Sequence, residues 1–161
     1  MNTGQMLITI AALMLLTLVI LRVNNNFLNT NTVLMENKFN VLAVSLATSI
    51  LEEAKGKAFD HNTDTTALTS KTQLSSIGPE SGEVYPNFND FDDFHGFVHI
   101  DSTLPSAPFK IECEVFYVNP SNPNLTTGSK TWHKRMNVMV TSDFMVDTVR
   151  LSSIYSYFYF R

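Results

Sequence analysis

Met6-Leu-Ile-Thr-Ile-Ala-Ala-Leu-Met-Leu-Leu-Thr-Leu-Val-Ile-Leu21 decides the fold class. No residue in it is charged, Gly or Pro, and only Thr9 and Thr17 carry a hydroxyl. In hydrocarbon such a segment must satisfy its own backbone hydrogen bonds, so it is helical. It falls just short of the ~20 residues that span a bilayer comfortably, which places Arg22 and Asn24 near an interface. A cleaved signal peptide needs a basic stretch before the apolar run and a small-x-small cut site after it. Arg22-Val23-Asn24-Asn25-Asn26 offers no such site. Arg22 is the only basic residue near the run, and by itself it favours a cytoplasmic C-terminal side.

Helical character is expected to continue past the apolar run. Between Gln5 and Lys55 there is no Gly and no Pro. Leu28, Met35, Phe39, Leu42, Leu46 and Ile50 recur at steps that form one helical face. Asn29, Thr30, Asn37, Lys38, Asn40 and Ser45 lie opposite, and Glu36, Glu52 and Lys55 complete a solvated side. Gly56 is a stop signal, with Lys55 and Lys57 placed favourably against the C-terminal dipole. Asn24-Asn25-Asn26, followed by Asn29 and Asn31, is the weak point, because Asn side chains compete for backbone hydrogen bonds. Two readings remain open there: two helices with a flexible joint, or a stretch that melts or straightens when subunits pack.

The remainder fits one small core. Residues 60–83 are rich in Thr, Ser, Asn and Asp, with turn signals at Gly78-Pro79 and Ser81-Gly82, and read as a long surface connection. Strands are expected over 97–104, 109–118, 131–142 and 147–160. In the second, Phe109, Ile111, Cys113, Val115 and Tyr117 alternate with Lys110, Glu112 and Glu114. Residues 119–128 read as the turn between the second and third strands. The last strand carries Val149, Leu151, Tyr155, Tyr157 and Tyr159 on one face and Ile154, Phe158 and Phe160 on the other. It therefore needs cover on both sides, either from the core or from a partner. The expected fold class is α+β: a long N-terminal helix, half membrane and half amphipathic, packed on an antiparallel sheet of about four strands.

Catalytic chemistry is not in evidence. The sequence holds no phosphate-binding Gly-rich loop, nucleophile elbow or paired His/Cys arrangement. No cofactor is expected, and no metal. His95 and His99 with Asp90, Asp92, Asp93 and Asp101 form the densest potential ligand set, but on a strand the two histidines would stand roughly 13 Å apart, too far to share an ion. Asp60-His-Asn-Thr-Asp64 begins like a calcium loop, but Thr65 replaces the required Gly and Lys71 the closing Glu. The single cysteine, Cys113, reads as a small core residue. Eleven Lys and Arg against fifteen Asp and Glu, net −4, argue against nucleic acid. Lys130, His133, Lys134 and Arg135 with Trp132 read as a solvated edge rather than a DNA site.

An apolar helix directly after a Gly, an amphipathic continuation, a polar loop and an antiparallel sheet together resemble the type IV pilin and pseudopilin family. Gly4-Gln5 resembles the cut site of prepilins with short leaders. Leu51-Glu52-Glu53-Ala54 with Phe59-Asp60, and Phe91-Asp92-Asp93-Phe94-His95-Gly96, resemble stretches of minor pilin-like subunits. The resemblance divides the chain into a leader (1–4), a transmembrane half-helix (5–26), an amphipathic half-helix (27–58) and a β-rich head (59–161). It implies processing by a prepilin-type peptidase between Gly4 and Gln5. In the filament core, Ile8, Thr9, Leu15 and Val19 would lie against neighbouring subunits. It also implies membrane lipid, other pilin-like subunits and an assembly platform as partners.

The leader has no Lys or Arg next to Gly4, and Gln5 stands where the family has Phe. Thr9 stands where the family usually has the Glu that neutralises a neighbour's terminal amine. That departure points to a minor subunit rather than a self-polymerising one. The expectation is therefore a non-enzymatic minor subunit of a type IV pilus-like filament or secretion pseudopilus. It would sit in the cytoplasmic membrane with its head outside the cytoplasm, or in an extracellular filament once assembled. The alternative is a single-pass membrane protein that stays in place and presents a β-rich binding domain.

Overall fold

The computed structural model describes residues 2–158. One helix, α1 (Thr3–Lys55), precedes five strands: β1 (Val98–Asp101), β2 (Phe109–Asn119), β3 (Asn122–Thr127), β4 (His133–Thr141) and β5 (Val149–Ser156). Asn24-Asn25-Asn26 is helical, so the element has no joint there. By contacts the chain divides into two compact units, residues 1–39 and 40–161.

The first unit is helix alone. Its apolar side chains from Met6 to Leu21 are solvent-exposed, and the segment is long and apolar enough to cross a membrane. Both hydroxyls in the apolar run bond back to the helix, Thr9 Oγ1 to the Met6 carbonyl at 2.8 Å and Thr17 Oγ1 to that of Leu13 at 2.9 Å. Neither leaves a hydroxyl hydrogen unpaired in an apolar medium.

The second unit packs the last turns of α1 on the sheet. The buried side of the helix differs from the expected face. Phe39 and Ile50 are buried as expected, but Leu42 and Leu46 are only half-buried, and Leu28 and Met35 are exposed. The fully enclosed positions in α1 are Ala43, Ala47 and Ala54. A stripe of alanines lets a helix backbone approach a sheet closely, and the larger Leu side chains then flank the contact. A pattern built on large apolar residues is therefore rotated by about one position. The helix ends at Lys55, and the Gly56 N–H donates to the Glu52 carbonyl at 3.0 Å. A Cβ at Gly56 would stand 3.3 Å from the Glu53 carbonyl oxygen, so a close approach favours glycine there.

All strand pairings are antiparallel, in the order β1-β2-β4-β5, with β3 also paired to β2. On β2, Phe109, Ile111, Cys113, Val115 and Tyr117 are all buried, as the alternation requires. On β4 the inward set is Lys134, Met136, Val138 and Val140. The register sets Cys113 opposite Val138, Val115 opposite Met136, and Tyr117 opposite Lys134. Burial pushes the Cys113 thiol up to about 12, as befits an inert core residue.

Two expectations need correction. The segment read as the 119–128 turn contains β3, which pairs Val118 with Thr126 and Tyr117 with Thr127. Its Pro123 and polar composition masked it, although an edge strand tolerates proline. The sheet accordingly has five strands rather than about four. The basic cluster is not a solvated edge: Lys134 has no exposed surface. On β5 the face carrying Tyr155 and Tyr157 is covered. Tyr155 packs against Phe59 and Phe91, and Tyr157 against Phe59 and Trp132. Ile154 and Phe158 on the other face are exposed. Tyr159 and Phe160 lie outside the described residues, as does Met1.

Residues 56–97 connect helix to sheet without a strand of their own; the 60–83 stretch expected as a surface connection lies within them, but its Asp60, Leu68 and Leu74 are buried. Short 3-10 turns form at His61–Thr63, Lys71–Gln73 and Asp92–Phe94. Gly78 and Gly82 both adopt positive φ, at 111° and 93°, which explains glycine at these turns. The connection comes back to the helix exit, where Ala58 and Asp90 form a parallel bridge.

Candidate functional site

The residues assigned to processing and assembly all lie on the first unit. Gly4 and Gln5 are in the opening turn of α1, where the Gln5 N–H donates to the Asn2 carbonyl at 2.9 Å. A Cβ at Gly4 would meet nothing within 4 Å, and its φ is not positive. Glycine inside a helix costs about 0.5–1 kcal/mol relative to alanine. Nothing in the local structure calls for glycine at this position. Ile8, Leu15 and Val19 follow one another on a single stripe and are exposed. Thr9 lies beside that stripe, carrying its hydroxyl bond to Met6 and no charge.

The head is organised around a buried cation. Lys134 Nζ donates to the Phe59 carbonyl at 2.9 Å, to Asp60 Oδ1 at 2.8 Å, and to Asp92 Oδ1. It also sits 4.6 Å from the Phe59 ring centroid and 5.6 Å from that of Tyr117. Asp60 caps the turn that follows it and accepts from the Ser75 N–H at 2.9 Å. One strand residue thus ties together the helix exit, the start of the loop and the Asp90–Phe94 turn. Desolvating such a group is expensive, so its contribution lies in fixing one arrangement of the loop rather than in raw stability.

Parity was the available signal for Lys134. It shares the inward phase of Met136, Val138 and Val140, so a strand over 131–142 already pointed it at the core. Phe59-Asp60 and Phe91-Asp92-Asp93-Phe94 were singled out in the sequence by resemblance. The structure gives Phe59, Asp60 and Asp92 a physical reason, since all three are partners of Lys134.

A second polar centre adjoins the first. Ligand atoms of Glu80, Asp90 and Asp93 lie within 4.8 Å of one another, as do those of His61, Glu80 and Glu83. Asp90 and Asp93 are buried, and Glu83 and Glu80 keep 18% and 27% of their side-chain surface exposed. Burial, then the Glu83 hydrogen bond and the Asp90 charge, push Glu80 up to about 7. Burial, then the Asp92 hydrogen bond and the charges of Asp92 and Asp93, push Asp90 up to about 8. Burial raises Asp93 as well. These are the residues whose donor atoms could hold a metal; Asp90 and Asp93 were weighed from sequence, though with His95 and His99, whereas Glu80 and Glu83 were not.

The histidines that were weighed are used otherwise. His95 Nδ1 accepts the Val115 N–H at 3.1 Å, and His99 stacks on Phe97. The Asp60 loop spends its carboxylate on Lys134.

No protein-family model, curated protein or solved structure matches this chain.

Proposed function

We propose that this protein is a minor, non-enzymatic subunit of a type IV pilus-like filament or secretion pseudopilus. One observation carries the reading: a single helix that is apolar and exposed from Met6 to Leu21 and whose last turns, from residue 40, are packed into a β-rich head. A helix of that kind has one half suited to lipid or to a bundle of like helices, and another that holds a folded cargo. In this reading the chain sits in the cytoplasmic membrane with its head outside the cytoplasm, and a peptidase cuts between Gly4 and Gln5. Gly4, which nothing in its surroundings requires, supports that cut.

Assembly would bury Ile8, Leu15 and Val19 against neighbouring helices, with close side-chain packing as the driving force. Thr9 brings no negative charge for an incoming terminal amine, so self-assembly is poor and partner subunits are needed. The same Thr9 favours a second reading, in which the protein stays in the membrane as an anchored binding domain. Shearing cells and blotting the filaments for this subunit tests the proposal. The wild type and Thr9→Glu should enter filaments, and Val19→Lys should not, because it places a charge in an apolar bundle. If the wild type stays in the membrane fraction while filaments form normally without it, the anchored-domain reading holds instead.

A further inference from the structure

We propose that the head binds one calcium ion between the Pro79–Glu83 turn and the Asn89–Asp93 turn, through Glu80, Glu83, Asn89, Asp90 and Asp93. This proposal is independent of the filament reading, since it concerns only the connection between helix and sheet.

The first observation is convergence: one oxygen each from Glu80, Asp90 and Asp93 falls within a 4.8 Å span. Ligands of one calcium ion stand at most about 4.6–5.2 Å apart, twice the usual calcium–oxygen distance, so these oxygens are close enough to share one. Magnesium demands a stricter octahedron and keeps more of its own water.

The second observation is independent of the clustering. Asp90 Oδ1 accepts the Asp92 and Asp93 N–H groups, at 2.8 and 3.3 Å. Asp93 Oδ2 accepts the Asn89 and Asp90 N–H groups, at 2.8 and 3.1 Å. Each carboxylate is therefore pinned by the backbone through one oxygen. The other oxygen of each, Asp90 Oδ2 and Asp93 Oδ1, is buried with no hydrogen-bond partner. Asp90 and Asp93 keep 0% and 1% of their surface. Glu80 Oε2 and Asn89 Oδ1 are likewise buried and unpartnered. Glu80, Asp90 and Asp93, which converge, thus each keep a hard oxygen donor without a hydrogen-bond partner, and Asn89 on the same turn keeps another. A buried charged oxygen without a partner is expensive unless a cation or a proton meets it.

Among the described residues no free side-chain cation is placed against them. Lys134 is engaged with Asp60, Asp92 and the Phe59 carbonyl. His61 reaches only the rim, with Nδ1 3.6 Å from Glu80 Oε2 and 3.8 Å from Glu83 Oε1. The half-exposed His61 side also offers the way in. An all-oxygen donor set with several carboxylates is the chemistry of calcium, and a soft metal would want thiolate or more imidazole. Since Asp90 is bridged to Ala58, an ion here would brace the loop against the helix exit. The competing account is that facing carboxyls share protons and no ion enters.

The test uses the full chain in detergent, stripped with a chelator and titrated calorimetrically with calcium or magnesium chloride while its melting temperature is followed. The expected result is one calcium per chain with a Kd on the order of 10⁻⁴ M, typical of extracellular modules. Magnesium should bind more weakly, and calcium should raise the melting temperature by several degrees, reversibly on chelation. Glu80→Gln, at a partly exposed position that leaves the fold intact, should weaken calcium binding at least tenfold, whereas Asp147→Asn, away from the cluster, should change nothing. Absence of saturable calcium binding by a folded wild type overturns the proposal. So does an unchanged affinity in Glu80→Gln. A Glu80→Gln that only raises the melting temperature of a protein indifferent to calcium would establish the shared-proton account in its place.

Discussion

Ile8, Leu15 and Val19 expose 56–70% of their surface, whereas Ala43, Ala47 and Ala54, further along the same helix, expose none. The more hydrophobic half of α1 is thus the half that buries nothing within the chain. Hydrophobicity alone does not say where a core lies; it says what a segment needs as surroundings. For residues 40–55 the chain supplies them as a sheet. For the apolar run a bilayer or other helices must supply them. The two regions also differ in polar content. The hydroxyls of the first are satisfied inside the helix itself, while the head encloses Lys134, Asp60, Asp90, Asp92 and Asp93.

Melting the full chain in detergent after substitution in each region would break or sharpen this contrast. The largest effect is expected at Lys134. Lys134→Met strands Asp60 and Asp92 without their cation, and removing one partner of a buried ion pair costs about 3–5 kcal/mol. Adding Asp60→Asn and Asp92→Asn should recover part of that loss. A Lys134→Met protein as stable as the wild type would mean that Lys134 does not hold the loop.

Ala47 comes next. Ala47→Leu inserts bulk where the helix backbone meets the sheet, and overpacking of this kind costs about 1–3 kcal/mol. Leu46→Ala removes more atoms but from a half-buried flank, so it should cost less than Ala47→Leu. The reverse order would restore the face read from the large apolar residues alone. Smallest of all, Val19→Lys should leave the head's melting within about 0.5 kcal/mol of the wild type, as for surface changes away from special features. Its effect should appear only in membrane insertion and filament entry.

The helix, strands β2, β4 and β5 and the inward set on β2 were legible because each rests on a period sustained over many residues, and the short β1 lay inside an expected strand. The helix face was misplaced because alanine contributes little to a hydrophobic pattern yet marks the closest approach of two backbones. β3 was hidden because its strand character comes from pairing with β2, not from its own polar, proline-containing sequence. The burial of Lys134 was legible in parity but overruled by its charge, since a lysine is rarely enclosed unless paired. Asp90 and Asp93 were legible as potential ligands, but their meeting with Glu80 and Glu83 was not. These residues sit on two turns, at 80–83 and 89–93, and only the folding of the loop back to Ala58 brings those turns together.

In the proposed pilin-like subunit, the apolar half of α1 is the part that is processed and that packs against other helices. The most direct test is mass spectrometry of the N-terminus of the protein taken from its own cells. The account predicts a chain beginning at Gln5, and a Gly4→Leu variant that keeps the residues before it. Wild-type protein that still carries Met1 would contradict it.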